Sequence, residues 1–151
     1  MEDVACDDAN GVIVVAIEGK DKDDKNGIEG ISIKDTTVFI SNQSRNAYPQ
    51  QDASFIFTID SYTAKNPTLQ AIYDPKLKDI AGLAFYHDKL YILNDKNKLS
   101  EYDMNEKKVL KTKTLPMPAE GIAFDASGNV YFASDENGKV YKYKASDFDI
   151  E

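Results

Sequence analysis

The chain has 151 residues, 42% of them hydrophobic, and a formal net charge of −8, which fits one globular domain with a real core and not a disordered acidic segment. No Lys/Arg-rich stripe offsets a sequence pI near 4.7, so a nucleic-acid backbone is an unfavourable partner. A single cysteine, Cys6, excludes an internal disulfide framework and a CxxC metal knuckle, and no run approaches the ~20 apolar residues of a membrane helix.

In chain order, the polar leader at 1–10, MEDVACDDAN, predicts a flexible segment with Cys6 as a frayed thiol. GVIVVAIE at 11–18 predicts a strand, since Val and Ile crowd a helix and suit a pleated surface. It is too short, and its flanks too acidic, for a signal peptide. GKDKDDKNG at 19–27 has the look of an EF-hand loop, but Lys25 stands where the fifth-position ligand belongs and no bidentate Glu closes the loop. It reads as a solvated turn.

From here one phrase recurs. IEGISI (28–33), IAGLAF (80–85) and EGIAF (120–124) align on Gly30, Gly82 and Gly121, which are 52 and 39 residues apart. Each opens a strand and leads to a polar turn (KDTT, YHDK, DASGN) and then a second strand: VFISN (38–42), LYILND (90–95) and VYFASD (130–135). Third strands follow at FIFTID (55–60), LSEYD (99–103) and VYKYK (140–144), and fourth strands at LQAIY (69–73) and VLKTKTL (109–115). The longer first interval is absorbed by the loop QSRNAYPQQDAS at 43–54.

Short strands joined by Gly/Asn/Asp turns, with no helix-period stretch, argue an all-β fold. Four strands in ~40–45 residues make a propeller blade. The alternation agrees, placing Ile31, Leu83, Ile122, Ile33, Phe85 and Phe124 on one face of the first strands and Gly30, Gly82, Gly121, Ser32, Ala84 and Ala123 on the other. A bulky face and a small face per sheet suit stacking of successive blades. The blades are expected over about 28–73, 80–115 and 120–144, within a single domain at 11–151. Unrelated hairpins of a sandwich are the alternative.

The third unit lacks a fourth strand, while 11–18 is a strand without a blade. Closing an open edge removes an aggregation liability, and three blades are fewer than the roughly four to eight of known rings. The strand at 11–18 is therefore expected to complete the last blade, in another chain, giving a six-bladed, strand-swapped homodimer. The competing expectation is that the missing half belongs to a longer polypeptide.

The phrases AEGIAFDASGNVYFASDENGKVYKYK and DIAGLAFYHDKLYILNDKNKLSEYD resemble the six-bladed propellers of the SdiA-regulated (YjiK-like) family, and the related esterase-like phytase and β-propeller phytase groups. The resemblance spans roughly residues 27–144, about half the blades those families use. It implies calcium at acidic residues near the channel mouth and an extracytoplasmic setting. Glu29 and Glu120 begin the first strands of their units, where hard carboxylate oxygens suit Ca²⁺; Ala81 breaks the series. The other role open to them is to accept strand-end backbone N–H bonds. Asp135 and Glu136 in SDENG resemble the acidic pair that follows this strand in phytase-like propellers.

Asn42, Asn94 and Asp95 end second strands, with Ser134 and Asp135 at the matching place. They are candidate binding residues, or caps of turns through side-chain to backbone bonds. Tyr91, Tyr131, Tyr102 and Tyr143 recur in strand register and are expected to pack, with hydroxyls reaching the rim. His87, the one histidine, lies in a polar turn, and without GxSxG or a phosphate loop no catalytic residue is assigned. These readings lead to a calcium-stabilised propeller module presenting rim loops, above all 43–54, to a protein or small ligand. The alternative is a calcium-dependent phosphoesterase or esterase of the phytase-like kind. Lys and Arg, eighteen in all, form no cluster at the repeated strand ends of the sequence, which weighs against phosphate chemistry.

Overall fold

The computed structural model describes residues 3–7, 12–16, 27–50, 53–63 and 65–151, the first two stretches by backbone and strand pairing only. Three antiparallel meanders follow one another. The first sheet is β3 (Ile28–Lys34), β4 (Thr37–Asn42), β5 (Ile56–Ile59) and β6 (Leu69–Tyr73). The second is β7 (Ile80–Tyr86), β8 (Lys89–Asn94), β9 (Lys98–Asp103) and β10 (Lys108–Thr114). The third has β11 (Gly121–Phe124), β12 (Asn129–Ser134) and β13 (Lys139–Lys144), followed by a 3-10 helix over Ala145–Phe148. Among the described residues there is no α-helix, and so none long and apolar enough to cross a membrane.

Sheets stack through their first strands. β3 lies beside β7, and β7 beside β11. The packing follows the expected alternation. Leu83, Leu90, Ile92 and Tyr102 of the second sheet meet Phe39 and Ile56 of the first, with Phe39 and Phe85 edge-to-face at 4.7 Å. On its other side the second sheet sends Ala84, Tyr91 and Leu93 against Ile122 and Phe132 of the third. Tyr86 and Phe124 stack across that boundary at 4.6 Å.

The recurrent glycine makes this approach possible. A Cβ on Gly82 would stand 2.6 Å from the Glu120 carbonyl oxygen, and one on Gly30 would stand 2.6 Å from Ser41 Oγ and 3.0 Å from Leu83 Cγ. Backbone can come this close only to a residue without a side chain. Among the described residues no sheet follows Gly121, and a Cβ there would meet Ala133 Cβ of its own sheet at 3.2 Å.

The N-terminal region departs from expectation. Residues 3–7 form β1 (Asp3–Asp7) where a flexible leader was expected, and Cys6 pairs with Ile13 in register. β2 (Val12–Ala16), expected to complete the last sheet of a second chain, pairs with β1 in a hairpin whose first strand lies beside β3. Loop entropy accounts for this. Closing the short gap at 8–11 costs about 3 kcal/mol less than reaching β13 of the same chain, and pairing with a second chain also costs translational freedom. β13 carries no fourth strand among the described residues. The EF-hand-like stretch at 19–26, and residues 51–52 of the long loop, lie outside the described residues.

The C-terminal turn closes the gap between the second and third sheets. Phe148 meets Phe132 at 5.4 Å and Tyr143 at 5.3 Å, and Ile150 is buried beside them. Lys113 pairs with the Asp149 carboxylate, and Lys111 Nζ donates to the Asp149 carbonyl oxygen at 2.5 Å.

Candidate functional site

At the end of the sheets where each second strand finishes and each first strand begins, the loops line a half-open cavity of about 520 Å³. Gln43, Arg45, Lys78, Asp79, Ala81, Asp95, Lys96 and Glu120 line it. Four of these eight are equivalent positions of successive sheets. Gln43 and Asp95 directly follow β4 and β8, while Ala81 and Glu120 directly precede the repeated glycines. Glu29 and Ala81 each fall within a register shift of their strand, between Ile28 and Gly30 and between Ile80 and Gly82. Such a bulge re-aims the side chain of the extra residue.

Backbone bonds tie the loops into one frame. Asp79 N–H donates to Ser44 O at 2.5 Å, Asp95 N–H to Asp79 O at 3.1 Å, and Ala119 N–H to Lys96 O at 2.8 Å. Three lining residues, Asp79, Asp95 and Lys96, hold positive φ of 55°, 49° and 66°. Aspartate tolerates this region through local hydrogen bonding, whereas lysine adopts it at a cost. The frame is thus braced by main chain.

Electrostatics sort the lining. Asp95 accepts from Lys98 Nζ at 2.7 Å and pairs with Lys78 Nζ at 3.2 Å. Those two ammonium groups, Lys98 first, hold its carboxyl below the usual range. Arg45 and Lys96 are exposed, and among the described residues neither has an acidic partner. Arg45, Lys78 and Lys96 are the residues that reading the chain linearly missed. They are not repeat-equivalent and are far apart in sequence, so only the loop frame gathers them. The sequence reading of no cationic cluster at the strand ends is corrected accordingly.

The expected site residues separate into two groups. Asp95 and Glu120 reach the cavity. Asn42 and Asn94 do not line it and hold the strand ends instead. Asn42 Oδ1 accepts from Phe55 N–H at 2.6 Å and its Nδ2 donates to Ala53 O at 3.1 Å, while Asn94 Oδ1 accepts from Ser100 Oγ at 2.9 Å. Glu29 is the second residue of β3 and is not among the cavity's lining residues. Asp135 and Glu136 are exposed in the turn after β12. Among the described residues no group of three or more His, Cys, Asp or Glu side chains is placed to hold a metal ion.

The tyrosines pack in the expected register, but Tyr91 and Tyr102 are 1% and 0% exposed. Their hydroxyls are therefore buried and do not reach a rim; burial is the main cause raising both groups above the ordinary phenol range. Tyr131, at the same register as Tyr91 but on the uncovered third sheet, donates to Asp125 Oδ2 at 2.9 Å. His87 is exposed in the β7–β8 turn, stacked on Tyr86 at 4.1 Å.

No family model and no curated protein matches this chain. Among solved structures, the crystal structure of Myxococcus xanthus glutaminyl cyclase aligns with a TM-score of 0.61 at 13% identity, covering 80% of this chain and 49% of that one. The chain thus spans about half the length of that protein, which has a β-propeller-like fold. At this identity the likeness concerns the fold alone, and the chain is an all-β protein whose antiparallel sheets stack in the propeller manner.

Proposed function

We propose that this chain is a β-propeller-type binding module that seats a small ligand in the cavity at its strand ends. The supporting observation is the braced frame of loops 43–46, 78–81, 95–97 and 119–121, contributed by all three sheets around one polar cavity of about 520 Å³. Volumes of ~300–1,000 Å³ are those of small-molecule sites, and propellers commonly bind through loops on a rigid scaffold. A protein-observed NMR screen of chemically diverse small molecules tests this. Hits are expected to shift the amides of these loops; hits confined to other surfaces would refute it. Ala81→Phe, which fills the cavity from its wall, should abolish the shifts while the protein stays folded.

A second copy of the chain is the partner this reading implies, and the open side of the third sheet supports it. Ser32 and Ala84 are each 7% exposed because the next sheet covers them. Their equivalent, Ala123, is exposed, as is Ala133, and Val140 beside them is 70% exposed. The covering unit would be the N-terminal hairpin of the other chain, because that hairpin already lies against β3 in the manner of a blade. Calcium belongs to this proposal in a limited form. Glu29 and Glu120 hold matching positions in the first and third sheets, and a second chain would double the carboxylates on offer. Metal content is therefore expected to follow dimer formation.

A further inference from the structure

The charge of the cavity lining goes further than its shape, and we infer that the ligand presents a single carboxylate to Arg45 and Lys96. This rests on the cavity being a binding site. In a chain of net charge −8, two exposed cations without acidic partners among the described residues line one half-open cavity. Their backbone locations are fixed by hydrogen bonds. Lys96 O receives Ala119 N–H at 2.8 Å, and the residues flanking Arg45 are held by Ser44 N–H to Ser54 Oγ at 2.9 Å and Asn46 N–H to Ser44 Oγ at 3.2 Å. A planar guanidinium fork matches a carboxylate through two parallel hydrogen bonds, and a nearby ammonium adds a point charge.

The acidic side of the lining decides between oxyanions. Lys78 is shared with Asp95, which Lys98 also neutralises. Asp79 also lines the cavity, and none of the described ion pairs neutralises it. Its negative charge opposes a dianionic or trianionic ligand such as a phosphate ester, because like charges within a few ångströms repel strongly in a partly desolvated site. One negative charge on a compact ligand is accommodated, and an uncharged or N–H-bearing remainder suits the Asp79 side.

Propionate, inorganic phosphate and n-propylammonium are the probes, titrated separately against the full chain with amide shifts as readout. Propionate is expected to move the amides of 43–46, 78–79, 95–97 and 119–121, and to bind at least about tenfold more tightly than phosphate. Arg45→Ala should weaken propionate about tenfold or more, with Arg45→Lys intermediate because the fork is lost and the charge kept. Arg45 is exposed, so both variants should keep the wild-type melting temperature. Phosphate binding as tightly as propionate, or an unchanged affinity in Arg45→Ala, would overturn the assignment. Shifts at these loops from propylammonium but not from propionate would overturn the carboxylate while leaving the cavity a binding site. Shifts from propionate elsewhere on the surface would overturn both.

Discussion

Glu101 sits at 3% exposure within the second sheet, a place where a carboxylate persists only if its charge is matched. Lys89 Nζ reaches Oε1 at 2.6 Å and Lys111 Nζ reaches Oε2 at 2.8 Å. Burial pushes this carboxyl upward, but the hydrogen bonds from Lys111 and Lys89 outweigh it, and the net shift is downward from about 4.5. A lowered folded pKa contributes stability that is complete above the unfolded value and is lost as pH falls through the folded one. Acid unfolding below about pH 4.5 should therefore include this group. Glu101→Ala would leave two lysines facing a covered sheet and should cost about 3 kcal/mol, read as a lower urea midpoint at pH 7. Glu101→Gln should lose less stability between about pH 5 and about pH 3 than wild type; an identical acid limb would show that Glu101 carries none of it. Nothing in LSEYD singled this residue out. Alternation places it on one face, and whether that face is covered depends on the third sheet and on Phe148 and Ile150 beyond it.

Between elements, the repeated glycine is the contact that sets how closely sheets approach. At Gly82 the obstructing atom is a backbone carbonyl, which cannot swing aside as a side chain would. Gly82→Ala should therefore separate β7 from the start of β11 and cost about 2 kcal/mol. Gly121→Ala, which meets Ala133 Cβ at 3.2 Å and has no sheet in front of it among the described residues, should cost well under half of that. Chemical denaturation of the pair measures the difference, and equal losses would mean that the glycines act through strand geometry alone. The fourth strands expected at 69–73 and 109–115 appear as Leu69–Tyr73 and Lys108–Thr114. Period-two alternation and turn residues are local signals, and the strands they mark were legible for that reason. The hairpin of β1 and β2 was not. MEDVACDD reads as polar, and its pairing follows from the strand that lies nearby and not from its own composition.

At the scale of the molecule, the outer face of the third sheet is exposed among the described residues. Gly121, Ala123, Ala133 and Val140 form the side that the preceding sheets bury. If a second chain covers it, sedimentation should show a species of twice the 16.8 kDa chain mass. Ala133→Glu, placing a charge on an exposed position of that face, should return it to monomer without a change in the far-UV spectrum. A monomer at all concentrations in the wild type would end the proposal. Ala123 and Ala133 were legible as small-face residues from the alternation, but their exposure was not, because it depends on what stands beyond the last sheet.

The order of residues alone determined that this chain is all-β, that it repeats a glycine-led unit three times, and which side of each first strand is small. Those features are written in neighbours two positions apart and in turns of a few residues, where backbone sterics and side-chain alternation act directly. Only the tertiary structure decided that β1 and β2 form their own hairpin, that Glu101 is buried between two lysines, and that Arg45, Lys78 and Lys96 surround one cavity. Those facts depend on segments far apart in the chain meeting in space, and no local periodicity encodes which distant charges become neighbours once the sheets have stacked.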